Sequence, residues 1–173
     1  MLTSKGGNMA RNAFYSFHYK PDCDRASQVR NMGIVDGNKP VSDNDWETVT
    51  NGGEAAIKSW IDDQLKGRSC AIVLIGENTA GRKWITYEIS TAWNAEKGVL
   101  GIYIHKLKNL DGQQARQGAN PFDYVTFTGT GKKLSTVALT YNPPYSDSKE
   151  VYAYIKQNLA AWIEEAIRIR AES

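Results

Sequence analysis

The chain has 173 residues, 41% hydrophobic and 23% charged, with a formal net charge of +2 at pH 7. That is enough for one domain with a full core and too little for two, in a composition typical of globular proteins. The near-neutral balance excludes a strong pull toward nucleic acid or anionic membrane, and the apolar run CAIVLI is far too short to span a bilayer.

Residues 1–8, MLTSKGGN, have no apolar centre and do not read as a secretion signal. They are expected to be a disordered extension or an expression remnant, with one domain over 9–173. Residues 12–19, NAFYSFHY, are aromatic and poor in turn formers, which predicts a buried first strand. Pro21 and Asp22 are expected to break it, with a short helix over 23–32. Residues 33–45 are dense in Gly, Asn, Asp and Pro and read as a loop. In Glu54–Leu65, Ile57, Trp60, Ile61 and Leu65 recur at helical spacing and Gly67 supplies a stop. Residues 69–76, SCAIVLIG, form the clearest strand, and their unbroken apolar run suits a central strand covered on both faces.

After a polar loop, residues 83–96 predict a helix stopped by Gly98, and 99–105 another buried strand. Residues 106–120 form a long polar loop, and 124–127 and 136–141 are candidate edge strands. Asp147 and Glu150 have capping-box spacing. The helix they introduce carries Val151, Ile155, Leu159, Trp162, Ala166 and Ile169 on one stripe.

Buried strands alternating with amphipathic helices predict an α/β fold, a mainly parallel sheet with helices on both faces. Such sheets place their sites at the carboxyl ends of the strands, here 17–19, 76–78 and 105–106. Of the two cysteines, Cys70 opens an apolar strand and Cys23 lies in a polar turn. They are expected to be reduced, in a cytoplasmic setting.

The usual phosphate loops are missing. TGTGKKL at 128–134 lacks the first glycine of a P-loop and has Lys133 where Ser or Thr is required. No Rossmann fingerprint follows the first strand. A phospho-receiver domain needs an aspartate at the end of a central strand, where this chain has Gly76 and Glu77. His18 and His105 with Cys23 or Asp22 are a weak zinc set without paired close spacing, so no metal is expected.

Glu88 is the candidate of most interest. An ordinary helix glutamate points at water. Here Trp84 lies one turn earlier on the same side, and Ile85, Ile89 and Ala92 form an adjoining apolar stripe. The helix follows a central strand, so its first turns lie near the ligand-binding edge of the sheet. Glu88 is therefore expected to be partly exposed into a cleft. One carboxylate beside a tryptophan suits cleavage of an N-glycosidic bond whose leaving group is already cationic. An O-glycoside needs a second carboxyl group as proton donor. Nicotinamide leaves NAD+ as a neutral base and needs no proton, so one glutamate can hold the ribose and stabilise the oxocarbenium-like cation.

FYSFHY, CAIVLIG and RKWITYEI in that order, followed by GANPFDYV at 118–125, resemble the bacterial TIR-like domain of Thoeris-type antiphage defence systems, as does the pair Trp46–Glu47. The similarity runs from about Arg11 to at least Val125. It implies a flavodoxin-like sheet and an NAD+-consuming enzyme that makes a cyclic ADP-ribose-type signal for a separate effector. It needs no cofactor beyond NAD+ as substrate, and self-association is expected. The W-x-x-x-E segment maps the catalytic glutamate onto Glu88. Ser16, Phe17, His18 and Tyr19 map onto the substrate pocket, with Trp46, Gly76, Asn78 and Trp84 as further candidates. The Arg-Asp-x-x-Pro-Gly box of ordinary TIR domains is absent, replaced by residues 33–45. Two alternatives remain at this stage: a non-catalytic adaptor acting by protein contacts, for which Glu88 is dispensable, and a nucleoside deoxyribosyltransferase-like enzyme indifferent to NAD+.

Overall fold

A computed structural model describes residues 11–35 and 51–173. The extension at 1–8, most of the 33–45 loop, and Trp46 and Glu47 lie outside the described residues. The element order is β1 (Ala13–Phe17), α1 (Tyr19–Arg30), α2 (Glu54–Leu65), β2 (Cys70–Ile75), α3 (Lys83–Asn94), β3 (Gly98–Tyr103), β4 (Thr140–Tyr141) and α4 (Ser148–Ala171). The described strands form one sheet in the order β1-β2-β3-β4, every pairing parallel, with Ser16 opposite Val73 and Ile72 opposite Leu100. This is the expected α/β architecture.

Strand side chains alternate between faces, and the core divides accordingly. Ala13, Tyr15, Cys70, Ile72, Leu74, Leu100 and Ile102 pack with Ala26 and Val29 of α1 and with the apolar stripe of α4. Phe14, Ala71, Val73, Ile75 and Val99 pack with Ile57 and Ile61 of α2 and with Ile85, Ile89 and Ala92 of α3. Two helices thus cover each face, which is why β2 is apolar at all its positions.

Several boundaries differ from expectation. The first helix begins at Tyr19, ahead of Pro21, rather than at residue 23. Pro21 is harmless there, because the first helical turn has no intrahelical partner for its N–H groups. α3 ends at Asn94, with Glu96 in the left-handed region at φ 62°. Gly98 is not the stop; it opens β3, where a Cβ would come within 2.8 Å of the Ile167 amide nitrogen. Residues 124–127 form no strand: a 3₁₀ turn, Pro121–Tyr124, precedes a single antiparallel bridge between Thr126 and Lys133. Of 136–141 only Thr140 and Tyr141 pair with the sheet. Ile169 is half-buried, and Ile163 takes a core place on the α4 stripe.

Candidate active site

The alternation that builds the core also builds the site. Ser16 shares its parity with Phe14, so it faces α3 rather than α1. It is 1% exposed, and its hydroxyl donates to Glu88 Oε2 in a short hydrogen bond. Glu88 reaches that point because α3 turns Ile85, Ile89 and Ala92 onto the sheet and carries Glu88 along the same border. Its exposure is only 6%. The glutamate is thus more deeply set than a partly exposed cleft residue. Burial in these apolar surroundings pushes its pKa up to about 8, against the smaller lowering effect of the Ser16 hydroxyl.

Above Glu88 opens a cleft of about 570 Å³ at the carboxyl edge of the sheet. Phe17, His18 and Tyr19 form one wall, where β1 passes into α1. Asn78, from the β2–α3 connection, forms another, and Trp84 and Ile85 line it beside Glu88. Trp84 is held edge-on to Tyr87 with ring centroids 5.8 Å apart, and the Lys83 ammonium lies 5.0 Å from the centre of its ring. The β2–α3 connection is fixed by the Gly76 amide, which donates to buried Thr79 Oγ1 at 2.8 Å.

Of the residues expected at a substrate site, Phe17, His18, Tyr19, Asn78, Trp84 and Glu88 therefore share one cleft, with Ser16 behind the carboxylate. Gly76 does not line it. Its Cα is pressed against the Asp22 carboxylate and its carbonyl against Gly118, so that a side chain at Gly76 would overlap Asp22. Trp46 is outside the described residues.

Lys20, Arg82 and Lys83 also line the cleft, against the single carboxylate of Glu88. Lys83 is tied to Glu54 of α2 at 2.8 Å. Arg82 is the N-cap of α3, and no side chain caps that first turn. A helix start left without an acidic cap, flanked by cations, is a place for an anion. The signal was present in GRKW, two basic residues where a helix usually begins with acidic ones. His18 Nδ1 is buried without a partner, and burial together with the nearby Arg82 lowers its pKa. At neutral pH it is thus an uncharged imidazole able to donate or accept. Among the described residues no group of three or more His, Cys, Asp or Glu could hold a metal ion, and no helix is long and apolar enough to cross a membrane.

With a buried carboxylate on the floor and cations at the rim, the cleft suits a ligand positive at one point and negative at another. Comparison with known proteins agrees with the resemblance seen in the sequence. The family profile described as Thoeris protein ThsB, TIR-like domain, matches residues 14–109, a span that includes Ser16, Asn78 and Glu88. A protein of Bacillus cereus (strain MSX-D12) named "Putative cyclic ADP-D-ribose synthase ThsB1" is 33% identical over 133 residues, covering 73% of this chain and 69% of that protein.

Proposed function

Because the chain belongs to the TIR-like family of Thoeris ThsB proteins, we propose that it cleaves NAD+ at the nicotinamide–ribose bond and makes a cyclic ADP-ribose-type signalling nucleotide in antiphage defence. The observation that carries this reading is Glu88, buried on the cleft floor, bonded by Ser16 and overlooked by Trp84.

In this reading the nicotinamide-bearing ribose enters toward Glu88, and Lys20, Arg82 and the uncapped start of α3 receive the pyrophosphate. The bond between the ribose anomeric carbon and the ring nitrogen breaks, and its electron pair goes to that nitrogen. Nicotinamide departs neutral, and the positive charge moves to the ribosyl carbon. The Glu88 carboxylate stabilises that cation, an effect strengthened by the low dielectric of a buried site. A nucleophile of the same molecule then bonds to the carbon and gives up its proton to solvent, closing a ring; water in its place gives the linear product.

A carboxyl that is neutral in the free protein near pH 7 becomes ionised when a cation enters beside it. Glu88 is therefore switched on by its own substrate, and Ser16 is ready to stabilise the charge. NAD+ serves as substrate and no further cofactor is required. The product reaches a downstream effector by diffusion, the protein works in the cytoplasm, and self-association raises a low basal turnover.

The test is incubation of the purified protein with NAD+ over a range of protein concentrations, with products resolved by mass. Nicotinamide and a cyclic ADP-ribose-type nucleotide are expected, with turnover per molecule rising with concentration. Glu88→Gln should lower turnover by about 10²–10³ while changing KM little, since the lost charge acts on the transition state. An active Glu88→Gln protein, or a wild type that releases no nicotinamide even when concentrated, would overturn the reading.

A further inference from the structure

The segment GANPFDYV at 118–125 lines no part of the Glu88 cleft. It lies instead against the connection from β2 to α3, residues 76–82, which brings Asn78, Gly81 and Arg82 to the cleft. The two meet at both ends of that connection. At its start, a Cβ on Gly118 would stand 2.2 Å from the Gly76 carbonyl oxygen and 2.7 Å from that of Glu77, so a glycine is needed for the backbones to approach this closely. Near its end, the Tyr124 ring covers Gly81, where a Cβ would come within 3.2 Å of the ring carbon Cε1.

The segment can act as a brace because it is itself fixed. Phe122 is fully buried in the core on the α3 side of the sheet. Asn120 Oδ1 accepts from the Phe122 amide at 2.9 Å, and the Ser135 hydroxyl donates to Asp123 Oδ1. The Leu134 amide donates to the Val125 carbonyl at 2.7 Å. Tyr124 stands among these anchors, yet it is 55% exposed. A ring that exposed adds little to the core, and part of its covered side rests on Gly81.

The connection needs such a brace. Gly81 has φ 79°, in the left-handed region, and glycine is the residue with the most freedom to leave it. The next residue, Arg82, is the N-cap of α3. A rotation at Gly81 therefore swings both the Arg82 side chain and the unpaired amides of the first turn. These are the groups assigned above to the pyrophosphate.

We propose that Tyr124 is a positioning residue for substrate binding: its ring holds Gly81 in one conformation and thereby fixes Arg82 and the first turn of α3 where the pyrophosphate lands. This rests on the dinucleotide reading of the cleft. Without the ring, the ligand itself must order the connection, and that cost falls on affinity. Bond cleavage is spared, because Glu88 is held separately by Ser16.

Tyr124→Ala and Tyr124→Phe test this by calorimetric titration with ADP-ribose, which carries the same pyrophosphate, and by NAD+ kinetics at one protein concentration. Since Tyr124 is exposed, both variants should melt close to wild type. Tyr124→Ala should weaken ADP-ribose binding and raise KM for NAD+ about tenfold, the order of the cost of fixing one residue's backbone. Its kcat should stay within about twofold of wild type. Tyr124→Phe keeps the ring and should behave as wild type. A merely structural role would do the reverse, lowering kcat through loss of folded protein and leaving KM unmoved. That outcome, unchanged ADP-ribose affinity in Tyr124→Ala, or an equal loss in Tyr124→Phe would each overturn the proposal and leave NAD+ cleavage standing. A wild type that releases no nicotinamide, but whose ADP-ribose binding weakens in Tyr124→Ala and not in Tyr124→Phe, would keep the brace and remove the enzymatic reading.

Discussion

Helices α3 and α4 pack on opposite faces of one sheet, and the contrast between them separates stability from function. α4 is capped by Asp147, whose side chain accepts from the Glu150 amide at 3.3 Å, and its last turn carries Arg168 and Arg170. Its buried residues, Val151, Ile155, Leu159, Trp162, Ile163 and Ala166, are all apolar. α3 has no side-chain cap, no acid in its first turn and no base in its last, and its buried face includes Glu88. Each departure in α3 opposes helix stability and suits a ligand. The open first turn and its cations receive negative charge, and the buried carboxylate faces positive charge. One helix holds the sheet, and the other carries the site at a cost in stability.

The contrast breaks most visibly at Trp162. It stacks on Tyr141 with ring centroids 4.3 Å apart and planes 11° off parallel, and Tyr154 leans on it at 5.8 Å. Trp162→Ala removes a large core side chain and its aromatic partners, so unfolding in urea should show a loss of about 3–5 kcal/mol. A loss below about 1 kcal/mol would mean that α4 does not anchor the sheet.

Glu88→Gln should act in the opposite direction. The folded state raises the Glu88 pKa from 4.5 to about 8, so it binds a proton that the unfolded chain has already released. Stability is therefore present in full below about pH 4.5 and falls as pH rises toward 8. Gln carries no such ionisation. Thermal melts of wild type and Glu88→Gln should nearly coincide at pH 5, with the variant more stable by a few kcal/mol at pH 8. The same titration makes kcat/KM for NAD+ climb toward pH 8, since the ionised form acts, while kcat is already ionised-like at lower pH because bound substrate brings a cation. A variant less stable than wild type at pH 8 would make Glu88 a structural residue.

Ser16→Ala is a smaller step. The hydroxyl lowers the Glu88 pKa by bonding the charged form. Its removal should shift the kcat/KM profile upward by about one pH unit, roughly 1.4 kcal/mol, without moving the slope. Threonine keeps the hydroxyl and should restore most of the shift. An unmoved profile would leave Ser16 as strand packing.

Most of the fold was legible because its signals are local and repeated. The apolar run of β2, the 3.6-residue spacing in α2 and α4 and the Asp147 cap each determine their element without help from the rest of the chain. The edges were harder to read. β4 contributes two residues, and its pairing depends on β3, not on its own sequence. Pro21 read as a breaker because composition does not show that it falls in a first turn. At the site, the spacing of Trp84 and Glu88 was visible, but the depth of Glu88 was not. Its hydrogen-bond partner there, Ser16, is 72 positions away in the chain, on a strand paired with β2.

The smallest effect tests whether the α4 cap matters as the comparison implies. Asp147 precedes α4 with extended backbone angles, φ −79° and ψ 130°, and its carboxylate meets an amide that otherwise has no intrahelical partner. It also places a negative charge at the positive end of a 24-residue helix. Asp147→Ala should cost about 1 kcal/mol in urea unfolding, and Asp147→Asn rather less, because the amide oxygen still caps while the charge is gone. Asp147 is not among the residues lining the Glu88 cleft, so NAD+ turnover measured well below the melting temperature should be unaffected by either change. Frayed amides at 148–151 in hydrogen exchange, with protection elsewhere in α4 retained, would locate the loss in the first turn. If Asp147→Ala instead lowered turnover at full stability, α4 would take part in the site, and the division between a holding helix and a working helix would fail.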